Sequence, residues 1–136
     1  MINLKGFAIK TKLHLFFLLV SVALPAMANP ILEGYRTQAN QENAGFKDFS
    51  IAAGQKLYTT KGADLSCASC HTDSPKATGK HIKTNKEIAP MAANPKRFTD
   101  AAQVEKWFKR NCNDVLGRAC STQEKGDFIL YVLSVK

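Results

Sequence analysis

Long apolar runs are scarce in this 136-residue chain. A helix that crosses a bilayer needs about 20 consecutive apolar residues. The longest run, Leu13 to Leu24, is shorter and is interrupted by His14 and Ser21, which argues against a membrane anchor. No block of lysine or arginine and no DNA-binding motif accompanies the formal net charge of +8, so nucleic acid is not an expected partner. Strand-type alternation and internal repeats are both missing, which argues against sheet-built and solenoid architectures. Only one C-x-x-C is present. A zinc site would want a second tight pair, whereas Cys112 and Cys120 stand eight apart. A thioredoxin-type pair would want a βαβ setting.

The N-terminus carries Lys5, Lys10 and Lys12 with no acid, then the apolar run, then Pro25-Ala26-Met27-Ala28. A basic stretch, an apolar stretch and an A-x-A end describe a secretory signal peptide. Cleavage after Ala28 is expected to leave residues 29–136 as one exported, periplasmic domain without a membrane span. Loss of the three leader lysines lowers the formal charge from +8 to +5. A mildly basic domain of this kind steers acidic protein partners.

Four helices are expected in that domain. Ile31, Leu32 and Tyr35 give a weak helical period over Asn29 to Asn40, and a polar connector follows. Ser50 caps a second helix through about Thr60, with Ile51, Leu57 and Tyr58 available for burial. Gly54 sits in its middle. A mid-helix glycine costs about 1 kcal/mol against alanine, so close approach of another element is expected there. Residues 72–98 hold Pro75, Pro90 and Pro95 and few apolar side chains; long irregular segments are functional or packed around a ligand. A third helix starts at Thr99-Asp100, with Gln103 completing a capping-box-like pattern, and runs to about Asn111. The fourth starts at Ser121-Thr122, with Glu124 placed for a capping box and Phe128, Tyr131, Val132 and Val135 on one stripe. The fold class is mainly α.

All four cysteines follow the leader: Cys67, Cys70, Cys112 and Cys120. In an oxidising compartment they could pair in three ways, or two could be taken by another group. The residue after Cys70 decides. Cys67-Ala68-Ser69-Cys70-His71 is the C-x-x-C-H arrangement of c-type haem attachment. Two thiols three apart on a helical turn can each form a thioether with one haem vinyl group, and His71 is placed to bind the iron axially. One covalent haem c is the expected cofactor. It also supplies apolar interior to a domain too small for a large core of its own.

The second axial position has three candidates. Met91 is the one methionine after the leader, but it lies only 20 residues beyond His71, early for a loop passing round a haem; an apolar plug against the ring is its other role. His81 sits among lysines, as a solvated surface histidine would. On the third helix, at about 100° per residue, Val104, Trp107, Phe108 and Asn111 share one arc, while Asn113 points away. Asn111 on that arc is either a ligand or the cap that ends the helix.

The segments Lys86-Glu87-Ile88-Ala89-Pro90-Met91, Arg97-Phe98-Thr99-Asp100, Val104-Glu105-Lys106-Trp107, Arg110-Asn111-Cys112-Asn113 and Gly117-Arg118 before Cys120 closely resemble the sphaeroides-haem-protein (SHP) family. The resemblance spans roughly residues 50 to 135. It implies a class I cytochrome c-like fold of about four helices around one haem, with the N- and C-terminal helices crossing where Gly54 meets Phe128 or Tyr131. It implies Asn111 as the distal iron ligand opposite His71 and a disulfide between Cys112 and Cys120; Trp107 and Phe108, on the same arc as Asn111, are expected to pack against the haem. Met91 departs mildly from the pattern, which has another apolar residue there. The implied activity is binding of a diatomic gas, O₂ or NO, at the reduced iron, with electrons from a multi-haem c-type cytochrome. Relatives of this kind further suggest oxidation of NO, although no paired acid, base or nucleophile is evident on the distal side. A plain electron-transfer cytochrome with permanent six-coordination, through Asn111 or Met91, is the alternative.

Overall fold

The computed structural model describes residues 29–135; the expected leader, residues 1–28, lies outside them. Asn29 caps α1 (Pro30–Glu42), its Oδ1 accepting from the Ile31 and Leu32 amides, and Pro30 takes the first turn, where no amide hydrogen is needed. Ser50 caps α2 (Ile51–Thr59) by accepting from Ala53 N. A single turn, α3 (Ala68–His71), carries the haem-attachment motif. Two short strands, β1 (Gly79–Lys80) and β2 (Glu87–Ile88), pair antiparallel with Gly79 opposite Ile88. Two residues are too few to show an alternation, so this hairpin has no signature in the sequence.

Asp100 caps α4 (Ala101–Leu116) by accepting from Gln103 N, and α5 (Thr122–Ser134) opens on a complete capping box between Ser121 and Glu124. α4 runs five residues beyond Asn111, the expected end. No strong helix breaker stands before Gly117, which stops the helix in the left-handed region at φ 69°.

The core lies where α5 packs on α1 and α2, with Tyr58, Ile129 and Val132 fully buried. Ile129 was absent from the expected stripe, and Ile51, expected inside, is 47% exposed. Gly54 is the point of closest approach. A Cβ there would fall 2.0 Å from the Asp127 carbonyl oxygen and 2.8 Å from Tyr131 Cβ, so only glycine lets α2 and α5 cross this tightly. α4 is joined to the core by side chains: Phe108 meets Tyr35 and Phe128 edge-on, with ring centres 6.2 and 5.8 Å apart. Lys125 Nζ donates to Glu105 at 2.8 and 2.9 Å. No helix among the described residues is long and apolar enough to cross a membrane.

Candidate functional site

A cavity of about 850 Å³ is lined by the α3 turn, the irregular segment after it and one face of α4. This is within the size range of ligand and cofactor sites. Its wall brings together Cys67, Cys70 and His71 from the motif with Trp107, Phe108 and Asn111 from α4. The amides of Cys70 and His71 both reach Cys67 O, at 3.3 and 3.0 Å, which winds the motif into one helical turn. Neither Cys67 nor Cys70 forms a disulfide among the described residues, and both are half-buried. A Cβ on Gly79 would lie 2.1 Å from Cys70 O, so β1 supports the motif from behind. Thr72 then stops the turn at φ 65°, a strained conformation for a non-glycine residue that its surroundings must hold in place.

His71 Nδ1 is buried with no hydrogen-bond partner among the described residues. Burial first, and the Arg97 charge second, hold the imidazole below its ordinary pKa. It is therefore neutral near pH 7, the form that binds metal.

Asn111 lies mid-helix in α4, not at its end, so the capping role falls to Gly117. Its side chain lines the cavity, while Asn113 bonds back to Lys109 O at 2.7 Å on the solvent side. The next residue, Cys112, is buried and forms a disulfide with Cys120, with Cα atoms 5.6 Å apart. That bond ties the Asn111 turn of α4 to the start of α5. Phe108 is buried, whereas Trp107 is 47% exposed and has the Arg110 guanidinium 5.9 Å from its ring centre. Met91 is buried and lines the cavity, in a segment anchored by the bond from Ala92 N to Pro75 O at 2.9 Å.

Residues 44–132 match the family model described as "Domain of unknown function (DUF1924)". Cytochrome c'' of Methylophilus methylotrophus is 41% identical over 93% of this chain and 94% of its own length. The cytochrome c-type protein SHP of Cereibacter sphaeroides is 39% identical over 85% of this chain and 95% of its own. The crystal structure of oxidised cytochrome c'' superposes with a TM-score of 0.71 at 39% identity, covering 79% of this chain and 93% of that one. Oxidised SHP, described as an oxygen binding cytochrome c, superposes with a TM-score of 0.67 at 35% identity, covering 77% and 94%. The chain belongs to the family of SHP and cytochrome c''. It is a c-type cytochrome with one covalently bound haem c.

The wall of this cytochrome's cavity suits that group. It offers two unpaired thiols, an imidazole with an unpartnered buried nitrogen and a largely apolar volume. Two cavity residues differ from sequence expectation or escaped it. His81 is half-buried and lines the cavity; its Nδ1 accepts from Lys83 N and Thr84 N at 3.3 Å each, folding the hairpin turn. Arg97 also lines the cavity, with its Nε buried and unpartnered among the described residues. It lies in an irregular segment with no periodicity, so the sequence assigned it no role.

Proposed function

We propose that this cytochrome binds a diatomic gas, O₂ or NO, in its reduced state, with Asn111 as a distal ligand that holds the oxidised form and lets go on reduction. The observation that carries this reading is the placement of Asn111. Its amide lines the cavity from the middle of a helix, free of capping duty, next to a disulfide that fixes its turn. When bound, the haem would supply a one-electron couple and an iron able to take ligands. Cys67 and Cys70 would anchor it through thioethers, and His71 would provide a nitrogen to the iron. Asn111 provides a hard, neutral, weak oxygen donor, suited to the ferric state and poorly suited to the ferrous one. Withdrawal of the Asn111 amide would leave room in the cavity for the gas. Trp107 and Phe108, which line the cavity, would pack against the ring, with Met91 closing the apolar wall.

The relatives support this. SHP is described as oxygen binding, and cytochrome c'' has been described in terms of haem-ligand detachment. Export to the periplasm, supported by the leader pattern, would place the protein beside a multi-haem c-type electron donor. Oxidation of NO by O₂, drawing one electron from that donor per nitrate formed, is the turnover such a site would serve; nitrate formation by the reduced protein tests it.

Burial of Met91 in the cavity wall favours the second reading, a permanently six-coordinate electron carrier. Visible spectra of the oxidised, the anaerobically reduced and the carbon monoxide-treated reduced protein separate the two. The gas-binding reading expects a high-spin ferrous haem that takes up carbon monoxide quickly. A reduced haem that stays low-spin and ignores the gas would leave an electron carrier, with Met91 the next residue to mutate.

A further inference from the structure

Three of the four arginines among the described residues are matched to carboxylates. Arg36 bonds Glu33 and Asp48, Arg110 lies 3.7 Å from Asp114, and Arg118 bonds Glu124 through both terminal nitrogens at 2.6 and 2.7 Å. Arg97 is the exception. Among the described residues no ion pair or side-chain hydrogen bond reaches it, and its Nε is shut off from water. The residue is half-buried with its Nε sealed, a placement in which an unpaired charge is costly, and burial lowers its pKa from the ordinary value. The carboxylates that share its cavity are committed elsewhere: Asp100 caps α4 and Asp114 pairs with Arg110.

The backbone holds this arrangement at a cost. Phe98, the next residue, has φ 60°, is 7% exposed and has its carbonyl bonded by Asn29 Nδ2 at 2.9 Å. Arg97 N donates to Asn94 O at 3.1 Å. An aromatic residue in the left-handed region is strained, and such strain collects at ligand sites.

We infer that Arg97 is the carboxylate-binding residue of this cavity and receives a propionate of the haem. The inference rests on the haem lying in this cavity, attached to Cys67 and Cys70. A guanidinium offers a planar fork of donors that matches a carboxylate in two parallel bonds. Lys83 and Lys96 also line the cavity but are exposed, so water solvates their charges more fully than that of the half-buried Arg97, which gains most from an anion. A small anion from solution is the other source of such a charge.

The test uses the mature haem-bearing protein with Arg97→Gln and Arg97→Lys. The thioethers hold the haem independently of Arg97, so both variants are expected to carry it, as read by the pyridine haemochrome. The propionate-bending band in resonance Raman spectra should shift in both. In Arg97→Gln the propionate charge is left uncompensated and favours the ferric iron. The reduced-to-oxidised ratio at a fixed applied potential should then fall about tenfold, since a neighbouring charge at the protein's effective dielectric is worth at least that factor. Arg97→Lys keeps the cation and should stay within about threefold of the parent. An unchanged band and ratio in Arg97→Gln would overturn the inference, as would a parent ratio that follows the identity of the buffer anion at constant ionic strength. Carbon monoxide uptake by the same reduced samples reads the Asn111 proposal separately, so the two fail independently.

Discussion

The hydroxyl of the fully buried Tyr58 donates to the backbone carbonyl of His71 at 3.1 Å, and to that of Thr72 at 2.7 Å. A helix of the core thus holds the strained end of the haem-attachment turn. Tyr58→Phe keeps the ring and removes the donor, leaving two carbonyls without it. The expected loss is about 1–3 kcal/mol, read as a lower denaturant midpoint, with haem content unchanged.

Asn111→Ala should leave the haem attached, because the thioethers do not involve α4. The oxidised protein should become five-coordinate or water-ligated, visible in its absorption spectrum. An oxidised spectrum identical to that of the parent would remove Asn111 from the distal position.

Serine at Cys112 and Cys120 opens the loop that the disulfide closes. In the chain-entropy account, closing a loop of this length contributes about 2.5 kcal/mol. Equilibrium unfolding should show a loss of that order, and the oxidised spectrum should shift while haem stays bound, because the Asn111 turn is no longer tied to α5. A spectrum unaltered by the double substitution would confine the disulfide to a structural staple.

Gly54→Ala adds a better helix former, worth about 1 kcal/mol in an exposed helix. Here its Cβ would meet the Asp127 carbonyl oxygen at 2.0 Å, and backbone cannot swing aside as a side chain can. Overpacking should win, destabilising the protein by about 1–3 kcal/mol as measured by thermal unfolding. A stabilised variant would show that α2 and α5 cross less tightly than described.

Acid should weaken the fold through its lowered carboxylates, Glu105 and Glu124 among them. The Arg118 guanidinium holds Glu124 below the ordinary value of 4.5. Burial raises Glu105, but bonds from Lys125 and Tyr35 outweigh it and leave the group lowered from 4.5. A carboxylate depressed in the folded state contributes stability above its unfolded pKa and loses it as pH falls through the folded one. Urea midpoints should therefore be flat above the carboxylate range and decline below 4.5. Glu105→Gln should make that decline shallower, and an identical acid limb in the variant would exclude Glu105 from it.

The helix starts were the most legible part of the fold. Asp100 and the Ser121–Glu124 pair signal within four residues of chain the bonds they go on to make, because a cap is a local hydrogen bond. The end of α4 was misplaced by five residues because Asn111 is compatible with both a cap and a helix interior. Only the left-handed backbone of Gly117 settles which. Ile51 shows the same limit: its apolar side chain says nothing about whether a neighbour arrives to cover it.

By itself, the sequence determined the chemistry of attachment. Two thiols and an imidazole within five residues need no tertiary contact to be recognised, since their spacing is that of one helical turn. The amphipathic stripes and caps likewise determined a mainly helical chain. Tertiary structure decided which residues share the cavity. Met91, Arg97, Trp107 and Asn111 come from separate stretches or helix positions, and only packing brings them to the motif. It also left Arg97, among the described residues, without a carboxylate of its own. The physical reason is range: caps and haem motifs are bonds between near neighbours in the chain, whereas burial and the lack of a partner depend on what the rest of the chain brings alongside.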